Sequence, residues 1–380
     1  MFDIIEQARL GELHFKSDPD SGLKSIIAIH NTKLGPALGG CRCIEYHSDT
    51  AAIMDVVRLA RGMSYKAALA KVPQGGGKAV ILKPAEPFDR KALYQAFGRF
   101  VNELGGRYIT AIDSGTTIHD MDQVAKVTPH VSGSHSDGLD PSPNTALGVL
   151  AGMKAAALQR YGNSKLKGLT VAIQGMGNVG FHLASLLYEE GARLLVTDLQ
   201  ESKVKQAQTA FHAEPMSPDQ FCSAHCHILS PCGLGGVINH ETINVLHCDI
   251  IAGSANNQLA TPDVGQQLHQ RGILYAPDYV INAGGLIQVS MGLHRATQQE
   301  ISNKTWGISE TLYDIFTRSS VENLPPSTIA DLTAEEILYQ DLSTTSIHQR
   351  RRCGGIATAR LSRCRFFAEE LPHHGHDTNL

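Results

Sequence analysis

The chain has 380 residues, enough for two domains at roughly 100–200 residues each, and its 42% hydrophobic content excludes a disordered chain. With 33 Lys and Arg against 37 Asp and Glu, a formal charge of −4, there is no electrostatic reason to expect nucleic acid or an anionic membrane as partner. The 36 glycines follow no collagen-like period and point instead to tight turns and backbone held close to a ligand.

No apolar run reaches the ~18 residues of a membrane-spanning helix. The first residues, Met1-Phe2-Asp3-Ile4-Ile5-Glu6, carry acids and lack a basic stretch followed by an apolar core, so no signal peptide is expected. Eight cysteines spread over this length do not resemble a disulfide framework, and reduced thiols in a cytoplasmic protein are expected.

In chain order, residues 25–30 (Ser-Ile-Ile-Ala-Ile-His) read as a strand rich in β-branched residues. Over 49–71, Ile53, Val56, Val57, Ala60, Met63 and Ala67 recur at helical spacing, with Asp49 or Thr50 as the cap. Gly75-Gly76-Gly77 breaks that pattern, and a buried strand resumes over 79–82. A further strand-like stretch covers 107–112. The segment from Gly133 to Gly138, with Pro141 and Pro143, is a composition break and the expected domain boundary. Beyond it a long helix is predicted over 144–161. Strands follow over 170–174, 193–197, 227–230, 249–252, 273–275 and 279–281, with helices between most of them. That alternation predicts a parallel, doubly wound sheet. A second long helix, about 296–319, is expected to run back toward the first domain. The basic run at 349–355 and the His-rich residues 372–376 have no periodicity and read as an irregular tail.

The strand ending at Gln174 opens into Gly175-Met176-Gly177-Asn178-Val179-Gly180 and then a helix over 182–190. In this G-x-G-x-x-G the first Gly makes the turn, the second admits a pyrophosphate, and the third lets helix pack on strand. The helix N-terminus adds free N–H groups and the positive end of its dipole. Asp198, at the end of the next strand, is placed to accept hydrogen bonds from ribose hydroxyls and to repel a 2′-phosphate. A dinucleotide site is predicted, with NAD favoured over NADP.

Lys66 and Lys78 lie one near a helix end and one directly after three glycines. Facing one cleft, they would depress at least one ammonium pKa and supply a general acid/base. Spacing alone favours two solvated surface lysines, and Asp113 by itself reads as a turn or cap residue. The Cys222, His225, Cys226, His227, Cys232 group invites a zinc reading. However, 225–230 is predicted as buried strand, which sends alternate side chains to opposite faces, and no second Cys/His pair has regular spacing. No metal is expected, and Cys232 is taken as a small buried residue near the cofactor turn.

Several collinear motifs carry a resemblance. They are Gly35-Pro36-Ala37-Leu38-Gly39-Gly40-Cys41-Arg42, Gly62-Met63-Ser64-Tyr65-Lys66, Gly75-Gly76-Gly77-Lys78 and Asp113-Ser114-Gly115-Thr116. Pro143-Asn144-Thr145, Ser230-Pro231-Cys232, Gly253-Ser254-Ala255-Asn256-Asn257-Gln258-Leu259 and the run from Pro277 through Asn282 to Gly285 follow. Over about the first 340 residues the chain resembles the Glu/Leu/Phe/Val amino-acid dehydrogenases, the leucine enzymes most. The resemblance implies an α/β protein with an N-terminal α/β substrate domain and a C-terminal Rossmann-type, doubly wound NAD-binding domain, the cleft between them. The first would span 1–135, completed by C-terminal helices at about 325–345 and also serving oligomerisation. The second would span 143–324, and 346–380 would be the tail.

By the same resemblance Lys66 holds the substrate α-carboxylate with Gly40 and Asn282, Lys78 activates water, and Asp113 shuttles protons to the amino group. Thr145, Ala255, Asn256 and Asn257 face the nicotinamide end of the cofactor. Leu38, Ala111, Leu286 and Val289 form an apolar side-chain pocket. Glutamate enzymes place a lysine and a serine at the Leu38 and Val289 positions, so glutamate is disfavoured. The implied reaction is reversible NAD-dependent deamination of leucine, valine or isoleucine to the 2-oxo acid and ammonia, by a homo-oligomer for which an octamer is possible. Asn144, where branched-chain enzymes carry an aliphatic residue, is expected to turn the pocket toward aromatic substrates, which keeps phenylalanine as an alternative. Ile112-Asp113-Ser114 stands in place of the commoner Glu-Asp-Val. A catalytically silent NAD-binding sensor is the alternative from another class.

Overall fold

The computed structural model describes residues 2–135 and 140–340. These belong to a unit spanning Met1–Leu338; of a second unit, Tyr339–Leu380, only its first two residues are described. The predicted tail at 346–380 lies outside the described residues.

The first half contains α1 (Phe2–Gln7), β1 (Glu12–Asp18), β2 (Leu23–Asn31), β3 (Ala37–Ile44), α2 (Asp49–Ala70), β4 (Gly75–Leu82), α3 (Arg90–Glu103), β5 (Tyr108–Ile112) and α4 (Ile118–Ala125). Its five strands form a mixed sheet in the order β1-β2-β4-β3-β5. Alternation along β2 sorts the core in two. Ile26 and Ala28 pack with Val56, Val57 and Ala60 of α2. Ile27 and Ile29 face Leu93, Phe97, Met121 and Val124 of α3 and α4. Helices therefore cover both faces of this sheet.

The second half runs α5 (Ser142–Tyr161), β6 (Thr170–Gln174), α6 (Asn178–Glu189), β7 (Arg193–Thr197), α7 (Glu201–Phe211), β8 (Glu214–Pro215), β9 (Ile228–Pro231), β10 (Ile250–Ile251), α8 (Pro262–Gln270) and β11 (Leu274–Tyr275). It closes with α9 (Asp278–Ile281), α10 (Gly284–Gly292), α11 (Gln298–Glu322) and α12 (Pro326–Tyr339). All six of its strands are parallel, in the order β11-β10-β9-β6-β7-β8. The strand order reverses between β6 and β9, which opens a crevice at their carboxyl ends where ligands of doubly wound sheets bind. Helix α11 does run back to the first sheet's helix, with Thr311 Oγ1 donating to the Leu69 carbonyl at 3.4 Å. From α12, Glu335 accepts from Tyr65 at 2.6 Å and the Ile337 carbonyl accepts from Lys33 at 3.1 Å. Among the described residues no helix is long and apolar enough to cross a membrane.

Three readings are corrected. Residues 279–281, expected as strand, are the helical turn α9. A short β-branched run fits strand or helix alike, and Pro277 at its head fixes the backbone for a helix start, with Asn282 N–H donating to Asp278 O at 3.0 Å. The strand read over 79–82 starts earlier: Gly75-Gly76-Gly77, which follows the helix as expected, already belongs to β4. Its glycines are there for close approach: a Cβ on Gly76 would fall 2.0 Å from the Ser64 backbone nitrogen of α2. Strand β3 had no counterpart in the reading, since Gly39 and Gly40 sit inside it; a Cβ on Gly39 would fall 1.7 Å from the Gly77 carbonyl oxygen.

Buried His30 on β2 ties this packing together, its ring nitrogens lying 2.8 Å from Ser64 Oγ and 3.0 Å from the Ala8 carbonyl. Burial pushes its imidazole down from 6.5 to about 4. Between those values the unfolded chain binds the proton and the folded chain does not, so stability falls as pH drops through the window. Urea unfolding should lose roughly 3 kcal/mol more between pH 7 and pH 4 in the wild type than in His30→Gln. Equal losses would show that His30 does not carry the acid limb.

Candidate active site

A cavity of about 1070 Å³ lies between the two sheets, against α2. Its walls bring together Gly40 of β3, Lys66 of α2, Lys78 of β4, Asp113 after β5, and Asn282 after α9. Leu38 of β3, Ala111 of β5, and Leu286 and Val289 of α10 line it too. Thr145, Asn256 and Asn257 close it on the side of the parallel sheet, together with Val179 of α6. The predicted residues Gly175, Gly177, Asn178, Gly180, Asp198, Cys232 and Ala255 do not line this cavity; they lie along the carboxyl edge of the parallel sheet.

The acid and the two lysines are held differently. Lys78, 5% exposed, donates from Nζ to Asp113 Oδ2. Asp113 Oδ1 accepts from the Ser114 N–H at 2.6 Å and from Arg42 Nε at 3.3 Å. The Asp113-Ser114-Gly115-Thr116 motif is a tight turn: the Asp113 N–H donates to Thr116 Oγ1 at 2.9 Å, and Gly115 has φ +79°. Burial would raise the Asp113 carboxyl, but the Lys78 ammonium, backed by the Ser114 N–H and Arg42, holds it below its usual range. For Lys66, burial lowers the ammonium to about 8, Asp278 opposing and Lys78 assisting. The depressed lysine expected from two facing ammonium groups is thus Lys66.

Asn282 turns its amide N–H₂ to the Ser254 carbonyl at 3.1 Å and Asn256 Oδ1 at 2.9 Å, and its own Oδ1 is buried without a hydrogen-bond partner in the protein. Asn257 adopts φ +52°, in the left-handed region that Asn tolerates. Asn144 corrects an expectation. It does not line the cavity; it is 2% exposed and donates to Gln288 Oε1 at 2.5 Å. Gln288 in turn donates to the Asp140 carbonyl at 3.0 Å. The pair ties α5 to α10, the helix that carries Leu286 and Val289.

The dinucleotide turn has the shape that the group requires. Gly175 has φ +93°, a Cβ on Gly180 would fall 1.9 Å from the Gly175 carbonyl oxygen, and the space beside Gly177 is open. No side chain caps the start of α6. Asp198 is fastened to the turn by the Met176 N–H on Oδ2 at 2.7 Å and by the Gln200 N–H on Oδ1 at 2.8 Å. Cys232 donates its N–H to Gln174 O at 2.7 Å, and its Cβ lies beneath the third glycine. Ala255 is fixed by its N–H to the Pro231 carbonyl at 2.9 Å. The Cys/His group is dispersed: Cys222 donates to the Val237 carbonyl, His225 stacks on His247, and His227 Nδ1 accepts from Thr170 N–H at 2.9 Å.

Residues 8–130 match the family described as Glu/Leu/Phe/Val dehydrogenase, dimerisation domain, and residues 139–200 and 193–322 match Glutamate/Leucine/Phenylalanine/Valine dehydrogenase. The chain belongs to this family. Its cofactor is NAD, which the turn and Asp198 fit. A leucine dehydrogenase of Geobacillus stearothermophilus is 45% identical over 339 residues, 88% of this chain and 92% of the relative. A phenylalanine dehydrogenase of Bacillus thermotolerans is 44% identical, over 85% and 86%. Among solved structures, the L-tryptophan dehydrogenase from Nostoc punctiforme superposes with TM-score 0.82 at 39% identity, over 89% of this chain and 98% of that one. The two-domain α/β fold is that of these dehydrogenases.

Arg42 is the residue of this site that the motifs contained and the sequence reading left without a role. The paired charges of Asp113 become visible only when β3, β4 and β5 are laid side by side. The Asn144 assignment has its own check. Asn144→Leu leaves Gln288 without its donor and should cost about 1–3 kcal/mol by urea unfolding. The ratio of kcat/KM for L-leucine to L-phenylalanine should stay within about threefold; a larger swing would put Asn144 in the pocket.

Proposed function

We propose that the protein is an NAD-dependent L-amino-acid dehydrogenase whose substrates are the branched-chain aliphatic acids leucine, valine and isoleucine. The observation that carries this is one cavity lined both by Lys66, Lys78 and Asp113 and by the apolar Leu38, Ala111, Leu286 and Val289, beside a dinucleotide crevice. A glutamate side chain would bury its carboxylate against Leu38 and Val289 without a partner, at a cost of several kcal/mol.

Bound NAD supplies the hydride acceptor. In this reading the Lys66 ammonium pairs with the substrate α-carboxylate, assisted by the Gly40 backbone and the Asn282 amide. Asp113 takes the proton from the substrate ammonium, leaving the nitrogen lone pair free. After Cα is oxidised, Lys78, having released its own proton to solvent, removes a proton from the water that adds to the substrate iminium. Asp113 then returns its proton to the nitrogen, and as the C–N bond breaks the hydroxyl proton passes back to the Asp113 carboxylate, releasing ammonia and the 2-oxo acid. The Lys78–Asp113 contact gives the two groups a direct path for proton exchange. Closing the cavity against water protects the iminium until Lys78 directs the addition.

An aromatic substrate is the second reading. It is favoured by the phenylalanine and tryptophan dehydrogenases among the relatives. A cytoplasmic homo-oligomer, for which the resemblance makes an octamer one possible size, completes the proposal; the match to a dimerisation domain supports self-association.

The deciding assay follows NADH absorbance with NAD and L-Leu, L-Val, L-Ile, L-Phe, L-Trp or L-Glu at mildly alkaline pH. Turnover led by the branched-chain set, with none on glutamate, is expected; preference for L-Phe or L-Trp would select the second reading. Lys78→Ala should lower kcat at least ~10²-fold while NADH affinity, read by fluorescence titration, is retained. Near wild-type turnover in that variant would remove Lys78 from the mechanism.

A further inference from the structure

Arg42, on β3, sits between two carboxylates. Its Nε donates to Asp113 Oδ1 at 3.3 Å and its Nη1 to Asp55 Oδ2 at 2.9 Å. Asp55, on α2, is itself fixed: Tyr46 OH donates to Oδ2 at 2.8 Å and Arg58 Nη2 to Oδ1 at 3.0 Å. The side chains of Arg42, Asp55 and Asp113 are 19%, 16% and 16% exposed, so these pairs are shielded from bulk water. Asp113 therefore meets a different cation at each oxygen, Lys78 at Oδ2 and Arg42 at Oδ1.

We propose that Arg42, braced by Asp55, is a positioning residue that fixes the plane of the Asp113 carboxylate and keeps it ready to take the substrate's proton. This rests on the role given to Asp113 above. A carboxylate held only by Lys78 turns about its Cβ–Cγ bond. With Arg42 and the Ser114 N–H on Oδ1, only Oδ2 is shared with Lys78, and the proton passes along one line. A planar guanidinium serves here because its separate N–H groups reach Asp55 and Asp113 together, which an ammonium on a single nitrogen cannot do as well.

The titratable and charged groups around Asp113 are Lys78 on β4, Arg42 and Cys41 on β3, Lys66 on α2 and Tyr108 on β5; Tyr46 and Asp55 stand behind Arg42. Lys78 leads the charges that hold the Asp113 carboxyl down, and Arg42 adds to it. Loss of Arg42 thus moves the Asp113 carboxyl to higher pH, and with it the acid limb of kcat/KM.

The test compares wild type with Arg42→Met and Arg42→Lys. The Asp113 carboxyl is titrated by ¹³C NMR in aspartate-labelled protein, its signal assigned by its absence from Asp113→Asn. Arg42→Met should raise the midpoint by about one unit. It should also shift the acid limb of kcat/KM equally and lower kcat roughly tenfold or more, with NADH affinity unchanged. Arg42→Lys should bring the midpoint most of the way back and recover only part of kcat. If Arg42→Met does not fold, Arg42→Gln keeps a donor without the charge and takes its place. An Asp113 midpoint that stays within about 0.2 of wild type overturns the inference, even where stability falls. The NMR arm needs no turnover: a wild type silent on every amino acid defeats the proposed activity, and the shift still decides Arg42.

Discussion

Three stretches of backbone come closer together here than any side chain would permit, and the chemistry of the cavity follows from that approach. Gly39 of β3 lies against the Gly77 carbonyl of β4, and Gly76 of β4 lies against Ser64 at the C-terminal half of α2. A strand ordinarily stands off a covering helix by the length of two side chains. Where that distance collapses, Lys66, two residues after Ser64, and Lys78, two after Gly76, open into the same space. Two ammonium groups would not be gathered there by hydrophobic packing; burial first, and the Lys78 ammonium after it, depresses the Lys66 ammonium. The glycines hold the lysines in place, and Asp113 makes the arrangement tolerable by pairing with Lys78.

This explains why the parts of the protein differ in how plainly the sequence announces them. The strand, glycine turn, helix and following strand of the expected dinucleotide site were legible nearly in full, because these elements are consecutive. Each carries its signal within about twenty-five residues, and Asp198 bonds back to Met176 within that stretch. The substrate cavity draws on β3, α2, β4, β5, α9 and α10, which are separated by up to two hundred and fifty residues of chain. No local pattern speaks for such a site, and resemblance supplied its residues.

The misreadings have physical causes of the same kind. Gly75-Gly76-Gly77 reads as a breaker because glycine lacks strand propensity, yet tertiary contact selected the absence of a side chain. Residues 279–281 look like a strand because Tyr, Val and Ile favour one, but packing beside α2 and α11 prefers a helical turn that brings Asn282 to Asn256. Asn144 reads as a pocket residue from its place beside Thr145. On a helix, adjacent residues point about 100° apart, and this one turns inward to Gln288.

On the proposed reading, the balance of charge in the cavity bears on how a substrate would sit. Lys66, Lys78, Arg42, Arg58 and Arg61 stand against Asp113 and Asp55, while burial pushes the carboxyls of Asp278 and Asp331 upward and weakens their negative contribution. The surplus is positive, and Leu38, Ala111, Leu286 and Val289 in the same lining carry no charge. A zwitterion with an apolar side chain would suit such a lining. In the proposed reading its carboxylate would meet a buried Lys66 whose charge is expensive to keep alone, so that pairing would repay part of a desolvation cost that the fold has already incurred. Its ammonium would go to Asp113, whose freedom is limited by Lys78 and Arg42. A second carboxylate on the side chain would have to meet the apolar residues or compete for Lys66, and either choice would forfeit a pairing.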